Sequence, residues 1–298
     1  MSQQSTTPRG KVGHQRLAIL SCIHGNLEAL EAVLRDVKAQ PGIQGLACLG
    51  DLVGYGPHPN EVVDVVKQRG IRTVLGCWDE GIAQDNETCG CSFVTAEEGE
   101  LGARAFGWTR GEVYRETREF LGTLPFAVRT DLPCGHVLFV HGSPTATNEY
   151  LTDSTHELIL FERAARGRCD ILICGHTHVP FVKNVSGALH VRAGATLKER
   201  VHRARHPESR ARRGATIALE AKTIVNAGSV GEPRHGGLEA TYVILDTVTG
   251  DVEIRAVAYD VERTARAMRD KGVDAAFVDR LLAGREMTDK VKDIACAC

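Results

Sequence analysis

Residues 16–26 read Arg-Leu-Ala-Ile-Leu-Ser-Cys-Ile-His-Gly-Asn, an apolar run that closes on a thiol, an imidazole and a turn. An unbroken apolar stretch with a Gly-Asn stop is the pattern of a strand buried on both faces, here expected over residues 16–23. Leu27, Leu30, Val33, Leu34 and Val37 then recur at helical spacing, so a helix is expected over 27–39, stopped by Pro41-Gly42. The alternation repeats. A strand over 46–49 runs into Gly50-Asp51, a helix covers 60–69, and a strand over 71–75 ends at Gly76-Cys77-Trp78-Asp79. This order implies right-handed crossovers and a largely parallel α/β sheet.

Further along the chain the pattern loosens. Residues 80–99 are polar and irregular and contain Cys89-Gly90-Cys91. Helices are expected between about 95 and 124 and around 154–166, and strands at 126–130, 137–141, 171–174, 180–185 and 189–191. Late strands at 223–225, 241–246 and 252–258 alternate as in an antiparallel sheet. Two helical stretches, 261–271 and 275–282, precede a tail ending Cys296-Ala297-Cys298. The chain therefore divides into a tail over 1–14, a main domain over 15–260 with a basic insertion near 197–214, and a C-terminal segment over 261–298.

Composition sets the class. With 298 residues, 43% hydrophobic and 25% charged, the chain has the make-up of a globular protein, which excludes a disordered chain, a fibrous repeat or a disulfide-dense miniprotein. A net charge of -2 argues against a nucleic-acid-coating protein. No apolar run reaches the roughly 20 residues that span a bilayer, and the polar start lacks a signal-peptide core, so a cytoplasmic location without membrane association is expected. Thiols are kept reduced there, and ten cysteines then suggest metal or redox chemistry more than disulfides. The segment Lys198 to Arg213 carries seven Lys or Arg against two acidic residues, which reads either as a solvated loop or as a contact for nucleic acid or another phosphate-rich ligand. The oligomeric state leaves no mark in the sequence.

Polar residues fall where chemistry needs them. Cys22 and His24 close the first strand, Asp51 the second and Cys77 the third; His141 ends a later strand, and His176 and His178 follow 171–174. Open α/β sheets bind ligands at the carboxyl ends of their strands. Four His, one Asp and two Cys delivered to one rim form a metal-ligand set rather than a scatter of core residues.

These blocks resemble the calcineurin-like metallophosphoesterases, whose pattern runs Asp-x-His, Gly-Asp, Gly-Asn-His-Asp/Glu, a separate His, and Gly-His-x-His. The matching text is Cys22-Ile23-His24-Gly25-Asn26, Gly50-Asp51, Gly76-Cys77-Trp78-Asp79, His141-Gly142-Ser143-Pro144 and Gly175-His176-Thr177-His178. Residues 49–57 and Asn226-Ala227-Gly228-Ser229-Val230-Gly231 are similar to a small bacterial phosphodiesterase-like branch. The resemblance implies a four-layer α/β/β/α sandwich holding two metal ions. One would be held by Cys22, His24, Asp51 and His178, the other by Asp51, Cys77, His141 and His176. It also implies hydrolysis of a phosphomonoester or phosphodiester by a metal-bridging hydroxide.

Three departures qualify it. The family's first Asp is Cys22, its metal-binding Asn is Cys77, and its neighbouring His is Trp78. Thiolates favour Zn or Fe over Mg or Mn, and three anions against two divalent ions leave about +1 where the family pattern leaves about +2. Indole is no acid at neutral pH, and losing a general acid costs ~10²–10⁴-fold, so the chemistry is expected to be attenuated, with Trp78 a flat wall for a leaving group. Asp79 is expected to support its loop. The alternative is a weakly hydrolytic metal or redox sensor, in which Cys22 and Cys77 approach disulfide distance, with Cys89/Cys91 and Cys296/Cys298 as a possible further thiolate site. His202, His206 and His235 could meet substrate phosphates, although nothing in their spacing demands it.

Overall fold

The computed structural model describes residues 15–92, 95–192 and 214–285. In the first sheet, strands β1 (Arg16–Leu20), β2 (Ile43–Cys48) and β3 (Arg72–Thr73) run parallel, linked by helices α1 (Leu27–Ala39) and α2 (Pro59–Gln68). The short helices α3 (Cys77–Ala83) and α5 (Arg115–Leu121) flank the long α4 (Ala96–Glu112). The second sheet starts with the antiparallel pair β4 (Ala127–Leu132) and β5 (Gly135–Val140), then crosses through α6 (Glu157–Arg166) to β6 (Ile171–Cys174). Strands β7 (Phe181–Arg192) and β8 (Gly214–Asn226) complete it in the order β4-β5-β6-β8-β7. The chain then returns as β9 (Ala240–Asp246) and β10 (Val252–Val257), antiparallel beside β1, and ends in α7 (Val261–Asp270) and α8 (Ala275–Ala283).

Side-chain alternation explains the layering. Along β1, Ile19 enters a core shared by both sheets, whereas Ala18 and Leu20 face the helices. Strand β9 divides its residues in the same way, Val243 and Leu245 inward, Tyr242 and Ile244 outward. In the second sheet, Phe139 and Ile173 meet that central core while Val140 and Leu172 pack with Leu160 and Ala164 of α6. Each central strand is thus apolar on both faces, which produces helices, sheet, sheet and helix as four layers.

Several boundaries differ from expectation. The first strand stops at Leu20 because Cys22 and His24 take φ values of 52° and 49°, which no strand accommodates. The stretches 180–185 and 189–191 are one strand, β7, with its register shifted between Val185 and Gly187, and 223–225 is only the end of the 13-residue β8. Only Arg72–Thr73 of the third strand pairs fully, since Leu75 N–H turns away to Pro125 O at 2.8 Å. The polar stretch from 80 begins inside α3. Both sheets are mixed, as the family resemblance implies: β9 and β10 add antiparallel strands beside the parallel β1-β2-β3, and β4 and β7 are antiparallel edges of the second sheet. Among the described residues, no helix is long and apolar enough to cross a membrane. Lys198 to Arg213 lies outside the described residues.

Candidate metal centre

The loops leaving β1, β2, β5 and β6, with the first residue of α3, meet at one end of the sandwich. Cys22, His24, Asp51 and His178 form one group and Asp51, Cys77, His141 and His176 a second, the donor atoms of each lying within 4.8 Å of one another. All seven residues are buried, His176 being the most exposed at 4%. Five of them (Cys22, His24, Asp51, His176 and His178) have φ between 49° and 65°, the left-handed region. Such backbone costs about 1–3 kcal/mol per residue and persists only where surrounding bonds impose it. Those bonds are present. Cys22 N–H donates to Gly50 O at 3.0 Å and His24 N–H to Asp51 O at 2.9 Å. Asn226 Nδ2 ties Gly175 O at 2.6 Å and Thr177 Oγ1 at 3.0 Å. Gly76 has no freedom to grow: a Cβ there would sit 2.1 Å from Asp51 N and 2.2 Å from its Oδ1.

Backbone carbonyls orient three imidazoles. Nδ1 of His24 lies 3.0 Å from Val53 O, Nδ1 of His178 2.7 Å from Glu232 O, and Nδ1 of His141 2.7 Å from Leu49 O. A carbonyl only accepts, so each Nδ1 carries a proton and each Nε2 faces inward, as a lone pair wherever the ring is neutral. His24 Nε2 then faces His178 Nε2 at 3.1 Å, two lone pairs that repel unless a proton or cation lies between them. Among the described residues the Nε2 of His176 is buried without a hydrogen-bond partner, and that of His141 meets only the Asp51 carboxylate. Asp51 is pinned by Trp78 N–H on Oδ1 at 2.9 Å, leaving Oδ2 3.1 Å from His141 Nε2, 3.5 Å from His24 Nε2 and 3.6 Å from Cys77 Sγ. Oδ2 is thus shared between the groups. Cys22 Sγ sits 3.1 Å from Ser21 Oγ and accepts from His176 N–H at 3.3 Å. Convergent lone pairs with a shared carboxylate oxygen fit a pair of metal ions.

Burial dominates the proton affinities. It pushes the Cys22 thiol up to about 12 and raises Cys77 further. It also lowers His24 and His178, and brings His176 down to about 3. Burial opposes charge on Asp51 and His141 too, but each outweighs it for the other, holding the carboxyl below its usual range and raising the imidazole. A metal ion competes with protons for the same lone pairs and deprotonates a coordinating thiol outright.

Two expected roles change. Trp78 is no open wall: it is 1% exposed, packed 4.3 Å from the Tyr55 ring and 5.4 Å from Phe106, with His24 edge-on at 6.0 Å. Because α3 starts at Cys77, successive side chains diverge by about 100°, so Cys77 faces the centre and Trp78 the hydrophobic core. Asp79 holds the loop after Asp51, accepting from Leu52 N–H at 2.9 Å, Val53 N–H at 3.3 Å and Gly76 N–H at 3.2 Å. Its burial and the nearby Asp51 push its pKa up to about 7. It is a positioning residue.

Cys22 and Cys77 fall in the two different groups expected of them, and a further thiol, that of Cys91, stands beside Cys77 with 3.5 Å between the sulfurs. His235 turns back to Glu239 O at 3.1 Å instead of facing the centre. His202, His206, Cys296 and Cys298 lie outside the described residues. Sequence reasoning missed Tyr150, whose ring lies 4.3 Å from that of His176, and Tyr55, 4.9 Å from His24. It also missed Glu232, which sits behind His178 and pairs with Arg234 and Arg280. Glu232 directly follows the 226–231 stretch and was findable; the tyrosines carry no spacing signal.

The model of the calcineurin-like phosphoesterase superfamily domain matches residues 16–207, well over half of the chain. The chain belongs to that superfamily. This phosphoesterase is therefore a hydrolase of phosphoric ester bonds, from a family that binds divalent metals in a dinuclear site. It is 30% identical over 272 residues to an uncharacterized protein of Methanocaldococcus jannaschii, spanning 90% of this chain and 98% of that one. A metallophosphoesterase from Sphaerobacter thermophilus is 28% identical with a TM-score of 0.63, covering 91% of this chain and 100% of its own. A hypothetical protein from Pyrococcus horikoshii shares the fold at a TM-score of 0.68 and 18% identity, over 91% of this chain and 99% of its own.

Proposed function

We propose that this phosphoesterase works through a thiolate-containing dinuclear centre that takes Zn or Fe in preference to Mn or Mg. Cys22, His24, Asp51 and His178 hold one ion, and Asp51, Cys77, His141 and His176 the other. The observation that carries the reading is Asp51 Oδ2 standing between two sets of inward-facing imidazole lone pairs. Bound there, two ions supply Lewis acidity at the phosphoryl oxygens and an activated water. The chain's own contribution is positional. Carbonyls of Leu49, Val53 and Glu232 fix three imidazoles, Trp78 N–H fixes the shared carboxylate, and Asp79 fixes the loop that carries it. With Trp78 in the core, no side chain at that position protonates a leaving oxygen, so phosphodiesters with good leaving groups are the preferred substrate class.

The same burial of Trp78 favours a second reading, a weakly hydrolytic metal sensor. Metal analysis on protein purified anaerobically and reduced, with turnover of bis-p-nitrophenyl phosphate, separates the two. About two Zn or Fe per chain with turnover supports the enzyme; the same content without turnover supports the sensor. One ion or none sinks the dinuclear centre. The double variant Cys22→Asp/Cys77→Asn is expected to shift preference toward Mn and raise Mn-supported hydrolysis roughly 10-fold. An unchanged metal preference would count against the thiolates as ligands.

A further inference from the structure

Strand β4 leaves one edge of the second sheet open. His136, which stands opposite Asp131, donates its N–H to Asp170 Oδ2 at 2.9 Å and accepts on its carbonyl from Asp170 N–H at 2.7 Å, both away from β4. Opposed residues of an antiparallel pair exchange both backbone bonds or neither, so Asp131 turns its own N–H and C=O outward, as do Arg129 and Ala127 at the period of two. Among the described residues nothing bonds to that edge. The alternate residues Val128, Thr130 and Leu132 line a cavity of about 440 Å³ between the sheets, with Leu17 and Leu46 across it. Val128 and Leu132 are only partly buried there, because the facing sheet ends in β3, just two residues long.

An open edge beside apolar side chains is a template for another strand. The charges on β4 select which strand fits. Arg129 donates to the carbonyls of Gly167 at 2.5 Å and Arg168 at 2.8 Å, and among the described residues it has no acidic partner. When the edge is laid antiparallel against a copy of itself, only a two-fold axis at Thr130 sets opposite charges face to face. Arg129 then opposes Asp131 of the second copy, twice over, and Val128 opposes Leu132 on the cavity side. An axis at Arg129 or at Asp131 opposes like charges, and one at Val128 leaves Arg129 opposite Ala127. Opposite charges directly across a strand pair stabilise it and like charges destabilise it. On β10, the open edge of the first sheet, Glu253 and Arg255 are already engaged by Arg16 and Asp36.

We propose that β4 is the contact edge of a symmetric dimer, in which the second sheets of two copies join across Thr130 into one continuous sheet. The contact is isologous, so it closes on itself and leaves neither β4 edge free. Its backbone bonds run between Arg129 of each copy and Asp131 of the other, and the apposed Val128 and Leu132 side chains shield the mouths of both cavities.

The test is the mass of the full chain in solution, by light scattering after size exclusion over a concentration series in reductant. A dimer is expected. A monomer at every concentration, as follows if another segment of the chain occupies the groove, overturns the proposal. Asp131→Arg sets arginine against arginine at both positions and is expected to weaken the dimer at least about 10-fold, and Arg129→Asp/Asp131→Arg is expected to restore it, with thermal unfolding confirming that both variants fold. An unchanged dimer in Asp131→Arg overturns the pairing. Register is read separately in Thr130→Cys. Opposed residues that exchange no backbone bonds stand about 4.5 Å apart at Cα, within disulfide range. Oxidised glutathione is therefore expected to link two copies through position 130, identified by mass spectrometry. A dimer that gives no such link is built on another surface and overturns the proposal.

Discussion

The two groups that meet at Asp51 are built to different standards. In the first, His24 and His178 are both held by carbonyls, Cys22 is held by Ser21 Oγ and His176 N–H, and Glu232 behind His178 is itself paired with two arginines. In the second, His141 has its carbonyl, whereas the Nδ1 of His176 meets a thiol, Cys77 Sγ, at 3.6 Å. Cys77 in turn meets a thiol on an irregular loop. Groups that fix a metal-binding ring are worth 10–100-fold in affinity, so one half of the centre is rigid and the other adaptable.

The strongest way to break this comparison is to remove what the halves share. Asp51→Asn is expected to empty both positions and cut hydrolysis more than about 100-fold, measured by metal analysis and turnover; two retained ions would refute a shared carboxylate. Next in size is Trp78→Ala, which hollows the core beneath Tyr55 and Phe106. It should cost about 3–5 kcal/mol in urea unfolding, and a near-neutral result would mean the indole is not a core residue. The asymmetry itself is read by a chelator. The ion of the Cys77 half is expected to leave about 10-fold faster than that of the Cys22 half, and release in one phase would show the halves to be equivalent.

The smallest effect tests a region remote from both. Partial burial opposes charge on Asp36, but bonds from Arg255 (3.0 Å) and Tyr242 Oη (2.7 Å) outweigh it, so its folded pKa lies below the unfolded value. A depressed carboxyl contributes stability above the unfolded value, near 3.8, and that stability is lost as pH falls through the folded value. Asp36→Asn should remove at most about 1 kcal/mol near pH 6 and flatten the acid limb of the stability curve. Metal content should not move; a change there would mean the two regions are coupled.

Much of this site was legible because its residues sit at strand ends. The seven donors were named from the positions of Cys22, His24, Asp51, Cys77, His141, His176 and His178 after apolar runs, and the structure gathers those seven into the expected two groups of four, Asp51 common to both. Trp78 was misjudged for a geometric reason. In a strand-end loop it would have faced the ligand, but helix α3 begins one residue earlier and rotates it into the core. That Cys91 stands beside Cys77 was not legible, because the path of a Gly-containing loop follows from its anchors on Asn148 and Tyr150, which no local pattern reveals.

Sequence alone thus determined the layered α/β architecture, since continuous apolar strands alternating with amphipathic helices admit few other packings. It also pointed to the seven residues that the structure brings together, since which side chains can ligate a metal is a matter of their chemistry. Tertiary structure alone decided which lone pairs face inward, which thiol stands beside Cys77, and that five donors sit on left-handed backbone. Those features depend on hydrogen bonds between distant segments, such as His176 N–H to Cys22 Sγ, 154 residues apart, and Ser229 Oγ to Cys22 O, 207 apart. No spacing rule reaches across that distance, because such contacts exist only once both sheets have closed on a common core.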